Sequence, residues 1–229
     1  MTLRLIVLGV STFARSLIEY INANAEAEII AVDADENTID EIVDKVDRPL
    51  IGDATRIGLL EKLGVPDANR VLVSVGSIEA SLLSLLHLRN LKAKHITVEA
   101  LSEPHFALLK LLKVDEILFP DQQMAAFFGL RMLHPGLHGA REISENTSLV
   151  AASVSEDLAG QSVEDIENKY EIDIVYIVQN DEGKAFKPDN GETLRKGDLV
   201  VLVGHNDGLL EFEKALGTPG PFGKLLPWW

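Results

Sequence analysis

The chain has 229 residues, 46% of them hydrophobic and 25% charged, which is the balance of a globular protein with one large domain or two modest ones. Its net charge of −15 argues against nucleic acid or anionic lipid as partners of the bulk surface, and the absence of cysteine excludes disulfides, thiolate metal sites and a cysteine nucleophile. No apolar run reaches the roughly 18–20 residues of a transmembrane helix, so no direct membrane insertion is expected; Ser11, Thr12 and Arg15 after a short apolar start do not make a signal peptide, and a cytoplasmic location is expected.

Up to about residue 120, short β-rich apolar runs alternate with helical stretches. Residues 3–8 read as a buried strand, 13–24 as a helix with Leu17, Ile18 and Ile21 on one face, and 28–32 as a second strand ending at Asp33. Residues 37–46 read as one helix with Ile39, Ile42, Val43 and Val46 as its apolar stripe. A short third strand at 50–51 precedes Gly52-Asp53-Ala54-Thr55, and a helix over 56–63 is closed by Gly64. Strands follow at 70–75, 95–100 and 116–119, with helices at 78–90 and 104–112 between them. Continuous apolar strands alternating with helices predict an α/β fold: a Rossmann-like, doubly wound parallel sheet.

Residues 122–133 read as a helix with Met124, Phe127, Phe128, Leu130 and Met132, too apolar to face water alone, and His134-Pro135-Gly136 breaks it. Beyond residue 140 the pattern changes to strands at 150–154, 172–179 and 199–204 with helices at 162–170 and 208–216. Turn signals stand at Asp181-Glu182-Gly183 and Lys196-Gly197-Asp198. The expected organisation is a Rossmann-like domain with a crossover helix over 1–137, a small α+β domain over 138–217, and a Gly/Pro/Trp tail over 218–229 whose Trp228-Trp229 end docks on a partner or packs back on the second domain.

The first strand runs into Gly9-Val10-Ser11-Thr12-Phe13-Ala14, where a dinucleotide fold places its phosphate loop. Only Gly9 of the G-x-G-x-x-G fingerprint is intact; Ser11 and Ala14 hold the other two places. The Ser11 hydroxyl suits a phosphate contact or a helix cap. Asp33 stands where a carboxylate meets a ribose hydroxyl, next to Ala34 and Asp35; the alternative is a solvent-facing turn residue. Asp53 ends the third strand over the same crevice, with helix capping before Thr55 as the competing role. Ser74, Val75 and Gly76 end the fourth strand, Glu99 ends the fifth, and Asp121 follows the sixth, all on the carboxyl edge. Acidic groups there suit a divalent cation such as Ca²⁺ or Mg²⁺, with Glu99 and Asp121 as its ligands, or are a scattered solvated edge. His134 and His138 are four residues apart, but Pro135 and Gly136 argue against a helical metal pair. No nucleophile elbow, Walker loop or catalytic triad is visible.

The series Ile6-Val7-Leu8-Gly9, Val32-Asp33-Ala34-Asp35, Gly52-Asp53-Ala54-Thr55-Arg56 and Ala68-Asn69-Arg70-Val71-Leu72-Val73 resembles the RCK family, regulators of potassium conductance. Lys113-Val114-Asp115-Glu116-Ile117-Leu118-Phe119-Pro120 is similar to the family's run before its crossover helix. Leu158-Ala159-Gly160-Gln161-Ser162 and the run from Leu194 to Val201 are similar to its C-terminal lobe, so the resemblance covers about residues 3–216. It implies a non-enzymatic regulatory subunit or gating ring at the inner face of the membrane, partnered with a potassium channel or transporter subunit. It also implies a homo-oligomer: dimers through the crossover helix, stacked into an octameric ring.

The resemblance places a ligand on Gly9, Ser11, Asp33, Asp53, Ala54, Thr55, Ser74 and Gly76, with an adenine nucleotide, AMP or ADP ahead of ATP or NAD, as first choice and a divalent cation as second. Three departures matter: Ser11 for a glycine, Thr12 for the uptake regulators' usual arginine, and Glu99 for a basic residue. The Ser11 loop and Val98-Glu99-Ala100 look like a calcium-gated ring, in which Glu99 would be a ligand, but Ser74 and Leu101 stand where companion acids would be. The rival readings are an NAD-dependent oxidoreductase and a structural ring subunit with an empty crevice.

Overall fold

A computed structural model of the chain describes residues 2–133, 137–180 and 183–216. Six strands form one parallel sheet: β1 (Leu3–Leu8), β2 (Ala27–Asp33), β3 (Arg48–Ile51), β4 (Arg70–Val73), β5 (Ile96–Glu99) and β6 (Glu116–Leu118), in the order β3-β2-β1-β4-β5-β6. The chain winds outward one way from β1 through β2 and β3, then returns to lay β4 on the other side of β1. That reversal opens a crevice at the carboxyl ends of β1 and β4.

Alternation along each strand supplies both faces of the sheet. Ile6 and Leu8 of β1 and Ile30 and Val32 of β2 enter a core with Leu60 of α3 (Ile57–Lys62), Leu85 and Leu88 of α4 (Ile78–Asn90), and Leu109 of α5 (Glu103–Leu111). Leu5, Val7, Ile29 and Ala31 face the other way, onto Ala14 and Ile18 of α1 (Thr12–Asn24) and Ile39 of α2 (Glu36–Asp40). Strands covered on both sides read as unbroken apolar runs for this reason. Each fully buried aliphatic side chain contributes about 1.5–3 kcal/mol. β3 is an edge strand and carries Pro49, which pairs in register with Ala31 of β2.

The expected helix over 37–46 is interrupted. Asp35 caps α2, which stops at Asp40, and a separate 3₁₀ turn covers Val43–Lys45. Ile39 and Ile42 stay buried, whereas Val43 is 46% exposed and drops out of the apolar stripe. The adjacent β-branched Ile42 and Val43 propagate a helix poorly.

The chain divides into two compact units, residues 1–121 and 122–229. The second contains a five-stranded antiparallel sheet built from β7 (Leu137–Ser144), β8 (Thr147–Ser153), β9 (Ile172–Val178), β10 (Ala185–Phe186) and β11 (Leu199–His205), in the order β10-β9-β11-β8-β7. Helices α7 (Val163–Tyr170) and α8 (Asn206–Ala215) join its core, with Tyr170 and Phe212 edge to face at 5.5 Å. β7 and β10 are additions to the sequence reading. β7 hides behind His138, Gly139, Arg141 and Ser144, because a hairpin strand needs one apolar face only.

Helix α6 (Pro120–Leu133) connects the two units. Met124, Phe128 and Met132, at i, i+4, i+8, form an exposed apolar stripe along it, 48%, 48% and 80% exposed. Of the other expectations, His134, the Asp181-Glu182 part of a turn and the Trp228-Trp229 tail lie outside the described residues. Among the described residues no helix is long and apolar enough to cross a membrane.

Candidate nucleotide-binding crevice

The crevice of the first unit has a volume of about 320 Å³. Its floor is the turn after β1, where Gly9 has φ +82° and its N–H donates to the Val32 carbonyl at 2.8 Å. A side chain at Gly9 would run into the backbone of Ser74 and Val75, so glycine is required both for the left-handed turn and for the close approach of β4. Val10 follows, and its N–H donates to Asp33 Oδ2 at 2.7 Å. Ser11 is the N-cap of α1: its hydroxyl accepts the Ala14 N–H at 3.2 Å. The capping role expected for Ser11 is therefore met, and Thr12 is the first residue of the helix behind it.

Asp33 ends β2. Besides Val10 it accepts the Asp35 N–H on Oδ1 at 2.9 Å, so it ties the β1 turn to the β2 turn and still presents lone pairs to the crevice. Asp53 stands over the same space from the end of β3. Its Oδ1 accepts from the Thr55 hydroxyl at 2.6 Å and the Thr55 N–H at 2.8 Å, and these bonds hold its carboxyl below the usual value. Asp53 caps this tight turn and not α3, which starts later, at Ile57, with Arg56 as its N-cap.

The wall opposite is a small polar cluster. Glu99 Oε2 accepts from the Ser11 hydroxyl at 2.9 Å and from the Ser74 hydroxyl, which also lies 2.6 Å from Ser11 Oγ. It joins the ends of β1, β4 and β5 through side chains alone. Asp33, Asp53 and Glu99 all line the crevice, and among the described residues no lysine, arginine or histidine does.

Of the residues expected to hold a ligand, Gly9, Val10, Ser11, Asp33, Ala34, Gly52, Asp53, Ala54, Thr55, Ser74, Val75 and Gly76 line this cavity. Thr12, Phe13 and Asp35 do not. Thr12 and Phe13 are carried into α1, and Asp35 turns to cap α2. Val32, Ala80 and Leu101 line it as well. Ala80 had a weak signal, a small residue in the first turn of α4 behind the Ser77 cap. Leu101 had one in its place just past β5.

The expected cation pair does not come together in the crevice. Asp121 is an exposed residue in the first turn of α6 and is not among the lining residues. Glu99 has already committed one oxygen to two hydroxyls. Ca²⁺ or Mg²⁺ needs about six or more oxygens, and among the described residues no group of three or more His, Cys, Asp or Glu is placed to hold a metal. The donor set does not fit a resident cation.

Comparison with known proteins covers both units. The TrkA-N domain model matches residues 5–120, and the TrkA-C domain model matches residues 149–217. The chain is 29% identical over 211 residues to Ktr system potassium uptake protein C of Bacillus subtilis (strain 168), covering 91% of this chain and 95% of that protein. Among solved structures, the GsuK channel bound to NAD is similar with a TM-score of 0.63 at 18% identity, over 97% of this chain and 41% of that one. GsuK bound to ADP gives a TM-score of 0.50 at 17% identity, over 57% of this chain and 35% of that one. The chain thus spans less than half the length of either GsuK structure, and at such identities the likeness concerns the fold.

Proposed function

The chain belongs to the RCK-type family built from a TrkA-N and a TrkA-C domain, and from that premise we propose that it is a cytoplasmic regulatory subunit of a potassium channel or transporter, responding to an adenine nucleotide in the crevice. The observation that carries the ligand is the placing of Asp33 and Asp53 at the carboxyl ends of the adjacent strands β2 and β3, lining the same crevice as the switch point between β1 and β4. Carboxylates there accept ribose hydroxyls, and Gly52 and Gly76 keep the backbone open beside them. The volume of about 320 Å³ is at the small end of ligand sites, near 300–1,000 Å³, which favours a mononucleotide such as AMP or ADP over a dinucleotide.

In this reading the ligand is sensed and not converted. The relationship to a potassium uptake protein supports this reading, and among the described residues the lining holds no lysine, histidine, cysteine or tyrosine. The ligand acts by binding two arrangements of an assembly with different affinity, and its effect is limited to that difference. The exposed stripe Met124, Phe128 and Met132 supports a homodimer through α6, as the first step to a ring on the inner face of the membrane. The relationship to a potassium uptake protein over nearly its whole length supports a membrane potassium transporter subunit as partner.

Calorimetric titration with AMP, ADP, ATP and NADH tests the ligand. Saturable binding that Asp33→Ala weakens about tenfold or more is expected, from the loss of a charged hydrogen-bond acceptor. Silence from all four sinks the sensor role of this crevice. Hydride exchange from NADH to an oxo-acid would instead make the protein an oxidoreductase.

A further inference from the structure

The wall cluster bears on which nucleotide the crevice accepts. In a sheet of this topology the ligand's phosphates lie at the N-terminus of the helix after β1, where first-turn N–H groups have no intrahelical partner. Here that helix is α1, and its N-cap is Ser11. The hydroxyl of Ser11 is already engaged: it accepts from Ala14 and donates to Glu99, and Ser74 Oγ lies 2.6 Å from it. A carboxylate oxygen therefore stands 2.9 Å from the capping oxygen, on the crevice side of the helix end.

Charge makes this a barrier. The Glu99 carboxylate stands beside the positive end of α1, bonded to its N-cap hydroxyl, where an anion would otherwise be attracted. Asp33 and Asp53 add to the same sign, and among the described residues no cationic side chain lines the crevice to offset them. The nearby Arg56 is paired with Asp53 at 3.3 Å, and its side chain is 80% exposed. A phosphate at the α1 turn thus meets a negative charge held in place by Ser11 and Ser74, with no cationic side chain among the described lining residues to offset it.

We propose that Glu99 is the specificity-determining residue of the crevice, favouring adenosine and weakening binding with each phosphate the ligand carries. Ser11 and Ser74 hold its carboxylate in place, and a ligand must find its affinity in the ribose and base. This rests on the reading of the crevice as a nucleotide site, and it narrows that site to the least charged members of the class.

The test is calorimetric titration of the full chain with adenosine, AMP, ADP and ATP in the presence of EDTA, for wild type and Glu99→Gln. In wild type the affinity falls with each added phosphate. In Glu99→Gln the ratio of ATP to adenosine affinity rises about tenfold or more, which is about 1.4 kcal/mol. Glu99→Asp keeps the charge and keeps the fall. A second measurement needs no variant: raising salt from about 0.05 to about 0.5 M narrows the ATP-to-adenosine gap of the wild type, because the repulsion is partly screened. An unchanged ratio in Glu99→Gln, or, if that variant does not fold, a gap indifferent to salt, overturns the role of Glu99. Tighter binding of ATP than of AMP by the wild type overturns it too. Failure of adenosine and AMP to bind the wild type at all overturns the nucleotide reading itself, and this inference with it.

Discussion

Replacing Gly9 by alanine tests whether the turn after β1 is as constrained as its geometry states. Two costs add. At φ +82° a side chain sits in the left-handed region, which costs about 1–2 kcal/mol for a residue with a Cβ. The new Cβ would also lie 2.7 Å from the Ser74 carbonyl carbon and 2.9 Å from Val75 Cα, with the Ser74 carbonyl oxygen closer still. Ordinary carbon contacts begin at about 3.5 Å, so either the turn or the end of β4 must move by more than about half an ångström. Overpacking of that kind costs about 1–3 kcal/mol. The sum, about 2–5 kcal/mol, is a large part of the stability of a domain. Urea unfolding followed by circular dichroism is the assay, with Gly58→Ala as control. Gly58 lies in α3 with nothing within 4 Å of its added Cβ, so alanine there gains about 0.5–1 kcal/mol of helix preference. A Gly9→Ala midpoint equal to that of the wild type would refute the reasoning about this turn.

Two further predictions concern α5 and α6. His105 is fully buried; its Nδ1 accepts the Leu101 N–H at 3.2 Å, which puts the proton on Nε2, where it has no partner among the described residues. Burial holds its pKa below the ordinary 6.5, so the folded chain keeps it neutral while the unfolded chain takes up a proton below that pH. Stability is therefore lost as pH falls below about 6.5, by at most about 1.4 kcal/mol per pH unit from this one group. His105→Asn keeps an acceptor and removes the titration, and urea unfolding at a series of pH values should give a shallower slope; identical slopes would dismiss His105 as the source. On α6, Phe128→Lys with Met132→Lys puts two charges on the exposed stripe. Sedimentation velocity should show the proposed dimer lost at micromolar concentration, and an unchanged sedimentation coefficient would rule the stripe out as the interface.

The sheet and most of its crevice are legible in the sequence because buried parallel strands leave unbroken apolar runs, and their last residues are the site. Gly9, Asp33, Asp53 and Glu99 can each be placed at a strand end by counting along such runs. What cannot be counted is which way a residue turns after its strand. Thr12 and Phe13 go into α1 and Asp35 into a cap because hydrogen bonds to local N–H groups decide it, and several partners compete for each. The bond of Glu99 to Ser11 and Ser74 spans 88 and 25 residues, a pairing that no local pattern announces. The second unit is less legible: β7 alternates polar and apolar residues weakly, and β10 is two residues long. The break after α2 is masked because Ile39, Ile42 and Val43 fit a helical stripe that the buried face uses only in part, and this outweighs the weak signal of the adjacent β-branched pair.

Pro49 limits how copies of this chain can meet. A sheet that ends in an exposed strand invites a neighbouring molecule to continue its ladder, and growth of that kind has no natural stopping point. Proline offers no N–H for such a ladder, and in β3 it sits within a strand of only four residues. Lateral growth through this margin is therefore discouraged, whereas a helix face such as the apolar stripe of α6 offers a contact that saturates once it is covered.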